Sequence, residues 1–368
     1  MQDERMTFYI LDFSASLDLK PKPQYPPAIL IEIFIMPTEK LFAAVPPFPE
    51  DIPIARLSIL SLERLLAHDV KESAQLFESC KSDGFFLLDL RCNSIGEILI
   101  ETVEILFEVN KALFEEGPEE LKKFTHPPPG VLGYNAFGAT KVESGLPDRF
   151  EWYVMSQDDI MGQKFITTSN SVVSHLLSLL DQHLGLPDGT LESRQRIDKE
   201  SGTIVRMLKY PPQPEGDRRT SLFGHTDLGT ITLLFNVVGG LQILPAGSEG
   251  LEENWRYVKP MPGCVIVNLG DMTREWTGGI LRSNPHRVTF PPGEQATVTR
   301  YSLAYLMRAE AQASMKRLAL EGSLIKPLGD GEKDIEVGVD KWIEEKTALA
   351  RLGKDPASNR NGLAVQAY

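Results

Sequence analysis

The sequence predicts a mainly β protein with helices: a double-stranded β-helix (jelly roll) core, preceded by a helical N-terminal region and followed by a C-terminal helix. After about residue 200 the chain turns to short β-branched and apolar runs divided by turn residues, the texture of a sandwich or barrel. About eight such runs occur, the usual strand count of a double-sheet jelly roll. Before residue 200 apolar positions recur every three to four residues, which is helical spacing.

Composition narrows the class. A chain of 368 residues can bury a sizeable core, and 42% hydrophobic with 24% charged residues describes a globular protein rather than a disordered or fibrous one. We read it as one catalytic unit. The net charge of −13 repels phosphate backbones and argues against nucleic acid as a partner. Cys80, Cys92 and Cys264 form no CxxC pair and cannot pair evenly, which predicts reduced thiols and a cytoplasmic protein. The apolar run 27–36 is too short to span a bilayer and contains Glu32, so no membrane association is expected.

In chain order, residues 1–45 are expected to be a poorly structured extension, because prolines at 21–27 and 46–49 punctuate short apolar runs. Met36 is a plausible start, and residues 1–35 are expected to extend the true reading frame. Residues 46–195 form the helical N-terminal region. Val70, Ala74, Phe77 and Cys80 mark a helix over 70–80 that stops at Asp83-Gly84, ahead of a buried strand over 85–90. Leu99, Val103, Leu106, Phe107 and Leu113 mark a second helix ended by Gly117-Pro118, and a third covers 171–184 before Gly185. The catalytic jelly roll is expected over 196–310, with strands at 203–210, 230–235, 241–244, 255–258, 264–269, 287–290 and 297–306 beside the segment at His225. Residues 311–368 should hold a helix marked by Trp342, Ile343, Leu349 and Leu352, then a mobile tail from 353. Residues 330–334 lack the ligand spacing of a calcium loop and read as a solvated turn.

The chemistry centres on Gly224-His-Thr-Asp-Leu-Gly229. Alternate side chains of a strand share a face, so His225 and Asp227 project together. A third ligand, His286, lies far off in sequence, but Greek-key crossings bring such strands side by side. Two imidazoles and one carboxylate make a facial iron site that leaves half an octahedron open for substrates and dioxygen. Arg300 and Ser302 repeat the alternate-residue geometry and offer a planar fork and a hydroxyl to a carboxylate. Flanked by Val298 and Leu303-Ala-Tyr-Leu306, an inward Arg300 would be costly to bury without an anion. His68, His126, His175 and His183 read as structural or exposed. Tyr134, Trp152, Tyr153 and Phe235 are candidates for the rim of a pocket for an apolar or aromatic small molecule, with core packing the alternative for each.

Several blocks carry a family resemblance: Cys80-Lys-Ser-Asp-Gly-Phe-Phe86, Leu208-Lys-Tyr-Pro-Pro212, His225-Thr-Asp-Leu-Gly-Thr-Ile-Thr-Leu-Leu234, Gly239-Gly-Leu-Gln242, Pro262-Gly-Cys-Val-Ile-Val-Asn-Leu-Gly-Asp271, His286-Arg-Val288 and Arg300-Tyr-Ser302. Over about residues 52–309 the chain resembles the iron(II)/2-oxoglutarate-dependent dioxygenases, in the branch that includes isopenicillin N synthase. The resemblance implies Fe(II) held by His225, Asp227 and His286, the distal carboxylate of 2-oxoglutarate held by Arg300 and Ser302, and Tyr210 as a further donor to it. It also implies dioxygen as co-substrate, decarboxylation of 2-oxoglutarate to succinate, and hydroxylation, desaturation or rearrangement of a small organic molecule, by analogy in secondary metabolism. Three departures stand out. Leu208 replaces the family's Asn, Leu90-Arg-Cys-Asn93 replaces an Asn-His-Gly turn, and the segment between Leu234 and Gly239 is one residue short. Two other readings remain open at this level: an oxidase that uses no 2-oxoglutarate, its Arg-x-Ser pair gripping the substrate's own carboxylate, and a non-catalytic small-molecule-binding jelly roll. Dioxygen uptake with and without 2-oxoglutarate separates the first, and succinate formation the second.

Overall fold

Local caps place the helices of the N-terminal half, and strand alternation divides the rest into an outer and an inner face. The protein is described here from a computed structural model covering residues 6–9, 30–33, 37–126, 132–139, 146–159 and 162–351. Strands β1 (Met6–Tyr9) and β2 (Leu30–Ile33) pair antiparallel and helix α1 (Thr38–Ala43) follows, so what is described within 1–45 has regular structure. The expected extension over 1–35 falls mostly outside the described residues, and the expected tail from 353 wholly so.

Next come β3 (Ile59–Ser61), α2 (Leu62–Leu66) and α3 (Val70–Ser82). Asp69 caps α3 by accepting from the Glu72 N–H at 2.9 Å, and Gly84, at φ +64°, ends it in the left-handed region that glycine tolerates. After β4 (Phe85–Asp89), Asn93 caps the long helix α4 (Ser94–Glu115) through Gly96. The chain continues through α5 (Pro118–Leu121), β5 (Gly133–Asn135) and β6 (Glu151–Ser156) into α6 (Gln163–Leu184), which ends at Gly185 as expected. It begins at Gln163, earlier than the expected 171, because Phe165, Ile166 and Ser169 extend its buried stripe. The Thr167 and Thr168 hydroxyls return to the carbonyls of Gln163 and Lys164, which lets a Thr-Thr-Ser-Asn run stay helical. His175 bonds the Leu65 carbonyl and His183 bonds Ser73 while stacking on Phe77, so both tie helices together.

The jelly roll contains β7 (Ile204–Tyr210), β8 (Leu222–His225), β9 (Ile231–Asn236), β10 (Leu241–Ile243), β11 (Arg256–Tyr257), β12 (Cys264–Leu269), helix α7 (Asp271–Trp276), β13 (His286–Val288) and β14 (Arg300–Leu306). Helix α8 (Val339–Arg351) follows, with Trp342 buried as its apolar spacing required. One sheet has eight strands in the order β3-β4-β12-β9-β14-β7-β6-β5, and the other has four, β11-β10-β13-β8. The jelly-roll core with helical flanks is the architecture expected from sequence. Strands β3, β5 and β6 were not: β3 and β5 are too short to show a period, and β6 is buried on both faces and so does not alternate.

Alternation gives each strand of the large sheet two environments. Tyr153, Met207, Leu233, Val267, Leu303 and Tyr305 face the helices α4 and α6 and form the main core. Their neighbours Trp152, Leu208 and Tyr210 face inward, where they meet Leu222 and Val288 of the small sheet. Among the described residues no helix is long and apolar enough to cross a membrane.

Candidate metal centre and co-substrate clamp

His225 closes β8 and His286 opens β13, and the two are direct cross-strand partners. A shift in register just after His286 breaks the regular pairing at this point. The imidazole centroids are 4.3 Å apart, and Asp227, two residues past His225, places Oδ1 3.9 Å from His225 Nε2 and 3.8 Å from His286 Nε2. The ligand atoms of the three side chains all lie within 4.8 Å of one another, and both histidines are buried. Two neutral nitrogens and one anionic oxygen converging from one side are the donor set of a facial Fe(II) site.

The surroundings fix the aim of each donor. His225 Nδ1 lies 2.9 Å from the Phe223 carbonyl and His286 Nδ1 3.1 Å from that of Asn284, which assigns the N–H to Nδ1 and leaves each Nε2 lone pair facing inward. Asp227 Oδ2 accepts from Asn268 Nδ2 and Thr232 Oγ1, each at 2.7 Å, which leaves Oδ1 facing the two imidazoles. Burial, reinforced by the neighbouring His286, pushes His225 down to about 3, so its imidazole is neutral at physiological pH. Burial opposes ionisation of Asp227, but the flanking imidazoles and the two donors overcome it and hold the carboxyl at about 2. The turn beyond Asp227 is equally tight: a Cβ on Gly270 would stand 2.2 Å from the Gly229 carbonyl oxygen and 2.8 Å from that of Asp227. Replacing Asn268 by Leu removes one donor from Oδ2. Its expected effect is a 10- to 100-fold weaker hold on iron, of the order seen for such outer partners, read by competition with a chelator. Undiminished retention would show that this bond does not orient the carboxylate.

The second feature is Arg300. It is 1% exposed and sits on β14 opposite Tyr210 of β7, whose ring lies 4.6 Å from the guanidinium carbon. Nη1 donates to Ser302 Oγ at 3.1 Å, whereas Nε and Nη2 have no hydrogen-bond partner among the described residues. A buried guanidinium with two unmet donors demands an anion, and its fork suits a carboxylate in bidentate fashion. Burial lowers the Arg300 pKa only from a very high starting value, so the charge stays. Leu208, standing where the resembling family has Asn, packs among apolar side chains between the sheets and has Ser302 as its β14 partner.

The four aromatic candidates separate. Trp152 lies on the inner face of β6 with Phe150 at 4.9 Å and the Arg206 guanidinium at 5.2 Å. Tyr153 and Phe235 point to the opposite face, into the helix-packed core, where Phe235 meets Phe165 edge-on at 5.9 Å. Tyr134 belongs to that core too and donates to Glu151 at 2.6 Å. For these three the expected rim position is corrected: strand alternation turns them away from the metal centre. The sequence reading missed Asn268 and Thr232, although both lie inside blocks that carried the resemblance.

Comparison with known proteins now adds to this geometry. The family model of the 2OG-Fe(II) oxygenase superfamily matches residues 200–309. The 2-oxoglutarate-dependent dioxygenase gloE of Glarea lozoyensis is 33% identical over 288 residues, 73% of this chain and 84% of the relative. The chain belongs to the 2OG-Fe(II) oxygenase superfamily. A second relative, the 2-oxoglutarate-dependent dioxygenase frbH of a Dothideomycetidae species, is 31% identical over 72% of this chain and 86% of its own. In fold the oxygenase is similar to a full-length Neurospora crassa protein crystallised with alpha-ketoglutarate, with a TM-score of 0.65, 20% identity, and coverage of 82% of this chain and 99% of that one. The oxygenase is thus an oxidoreductase that takes Fe(II), 2-oxoglutarate and dioxygen, and couples decarboxylation of 2-oxoglutarate to oxidation of a small organic molecule. When bound, iron and 2-oxoglutarate together supply an oxidant strong enough for an unactivated C–H bond.

Proposed function

We propose that His225, Asp227 and His286 hold the iron, that Arg300, Ser302 and Tyr210 receive the distal carboxylate of 2-oxoglutarate, and that the substrate enters between the sheets beside Trp152. The unmet donors on the buried Arg300 carry this reading, because nothing else inside the sandwich explains a charge placed there. The triad geometry supports it independently. By analogy with its named relatives, the enzyme hydroxylates, desaturates or rearranges a small molecule in secondary metabolism, in the cytoplasm, with neither nucleic acid nor membrane as a partner. The free state of Cys80, Cys92 and Cys264 fits a reducing compartment.

The test is dioxygen uptake by the iron-loaded protein. Consumption is expected only with 2-oxoglutarate present, with succinate formed. Uptake that proceeds without 2-oxoglutarate would assign the Arg300 clamp to the substrate's own carboxylate instead. Substrate candidates come from comparing small-molecule extracts with the gene active and silenced, where the accumulating precursor identifies itself.

A further inference from the structure

The carbonyls that a helix leaves unpaired at its C-terminus have to find donors outside it. At the end of α3 they find them in the segment that presents His286, far along the chain. The Cys80 carbonyl accepts from the Arg282 N–H at 2.9 Å, and the Asp83 carbonyl accepts from Asn284 Nδ2 at 2.8 Å, across 201 residues of sequence. Gly84 permits the approach, since a Cβ there would stand 2.1 Å from the Arg282 carbonyl oxygen.

Asn284 is 1% exposed, and its Oδ1 has no hydrogen-bond partner among the described residues. An amide buried with its acceptor unmet costs stability, and a leucine of similar size would avoid that cost. What the residue holds explains it. Its main-chain carbonyl receives Nδ1–H of His286 at 3.1 Å, so whatever fixes Asn284 fixes the direction in which Nε2 points. The corner between α3 and β4 also reaches the ring itself: Phe85, fully buried, meets His286 edge-on with centroids 5.4 Å apart and planes at 71°. Beyond that it borders the residue that orients the carboxylate. The Gly84 carbonyl accepts from the Leu269 N–H at 3.0 Å, and Phe85 is the cross-strand partner of Asn268, which holds Asp227 Oδ2.

We propose that Asn284 is a positioning residue for the iron site, and that the α3–β4 corner, residues 80–86, is the socket that sets the aim of His286. The helical N-terminal region then takes part in holding iron, although all three ligands lie in the jelly roll. The inference rests on the reading of His286 as a ligand.

The experiment uses the full chain and compares the native protein with Asn284→Leu, His286→Ala and Ile166→Ala. The last truncates a core residue of α6 and serves as a control for a general loss of stability. The hold on Fe(II) is read by competition with a chelator, the ligand geometry by the visible absorption of Co(II)-loaded protein, and folding by a thermal melt without metal. Asn284→Leu should hold Fe(II) about 10- to 100-fold more weakly, as outer partners of metal ligands do, and should shift the Co(II) bands. Ile166→Ala should keep the native bands and hold Fe(II) within about twofold of the native chain. Iron held within about twofold by Asn284→Leu, native Co(II) bands in that variant, or an equal loss in Ile166→Ala overturns the proposal. If Asn284→Leu does not fold, amide exchange of the native chain decides. Loading with Mn(II) should slow exchange over residues 80–86 by about threefold or more and leave the β5 edge of the sheet unchanged, and exchange over 80–86 that ignores the metal overturns the proposal. A His286→Ala protein with native affinity for iron would instead remove the ligand reading beneath it.

Discussion

Asp227→Ala is expected to leave the protein folded but unable to retain Fe(II), with turnover down more than about a thousandfold, roughly 4 kcal/mol or more of transition-state stabilisation. Asp227 supplies the only anionic donor of the triad, and its Oδ1 is the atom that both imidazoles face, at 3.9 and 3.8 Å. Two neutral nitrogens alone hold a ferrous ion weakly against water and chelators. Metal content after reconstitution and desalting reads the effect directly, and a thermal melt of the metal-free protein shows that the loss is not unfolding. His225→Ala should behave alike. A variant at either position that keeps stoichiometric iron and turns over would remove that residue from the ligand set.

Arg300→Ala should raise the 2-oxoglutarate requirement by two orders of magnitude or more, with a smaller change in turnover at saturation. The guanidinium offers two unmet donors on Nε and Nη2 to the co-substrate, and losing a charged bidentate partner costs about 3–5 kcal/mol when the other partner remains buried. Replacing the same residue by leucine carries an opposite expectation for stability. Without 2-oxoglutarate the native protein bears a desolvated charge met by Ser302 and Tyr210 and by no carboxylate among the described residues, so the metal-free, co-substrate-free melting temperature of Arg300→Leu should not fall and is expected to rise. An unchanged KM for 2-oxoglutarate would contradict the clamp. A fall in stability would show that the Tyr210 ring contact outweighs the desolvation.

The helices were legible where their signals were local. The helix over 70–80 was placed although Val70 and Ala74 of its expected stripe are exposed and its buried face runs through Leu76, Phe77 and Cys80, and Gly84, Gly117 and Gly185 marked the stops, because positive φ at a helix end is a property of one residue. The start of α6 was not, since Thr167 and Thr168 favour helix only when their hydroxyls find the preceding carbonyls. Strands β5 and β6 escaped notice for a different reason: they add to the sheet through β7, and their pairing is a long-range event.

In the site, the strand period put Arg300 beside Ser302 on β14, whereas Asp227 comes beside His225 from past the end of β8, so the spacing paired them though the expected shared strand did not extend that far. The same period could not say which face of β6 or β9 turns inward, and Tyr153 and Phe235 proved to lie in the helix-packed core while Trp152 faces the sandwich interior. Register decides such questions, and register belongs to the sheet rather than to the segment. The sequence by itself determined the chemical inventory: two imidazoles, a carboxylate, an Arg-x-Ser pair and a jelly-roll texture to carry them. Only the tertiary structure decided that His225 meets His286 across β8 and β13, and that Asn268 and Thr232 hold Asp227 Oδ2 so that Oδ1 faces both imidazoles. These are contacts between residues far apart in the chain, set by how two sheets close on one another.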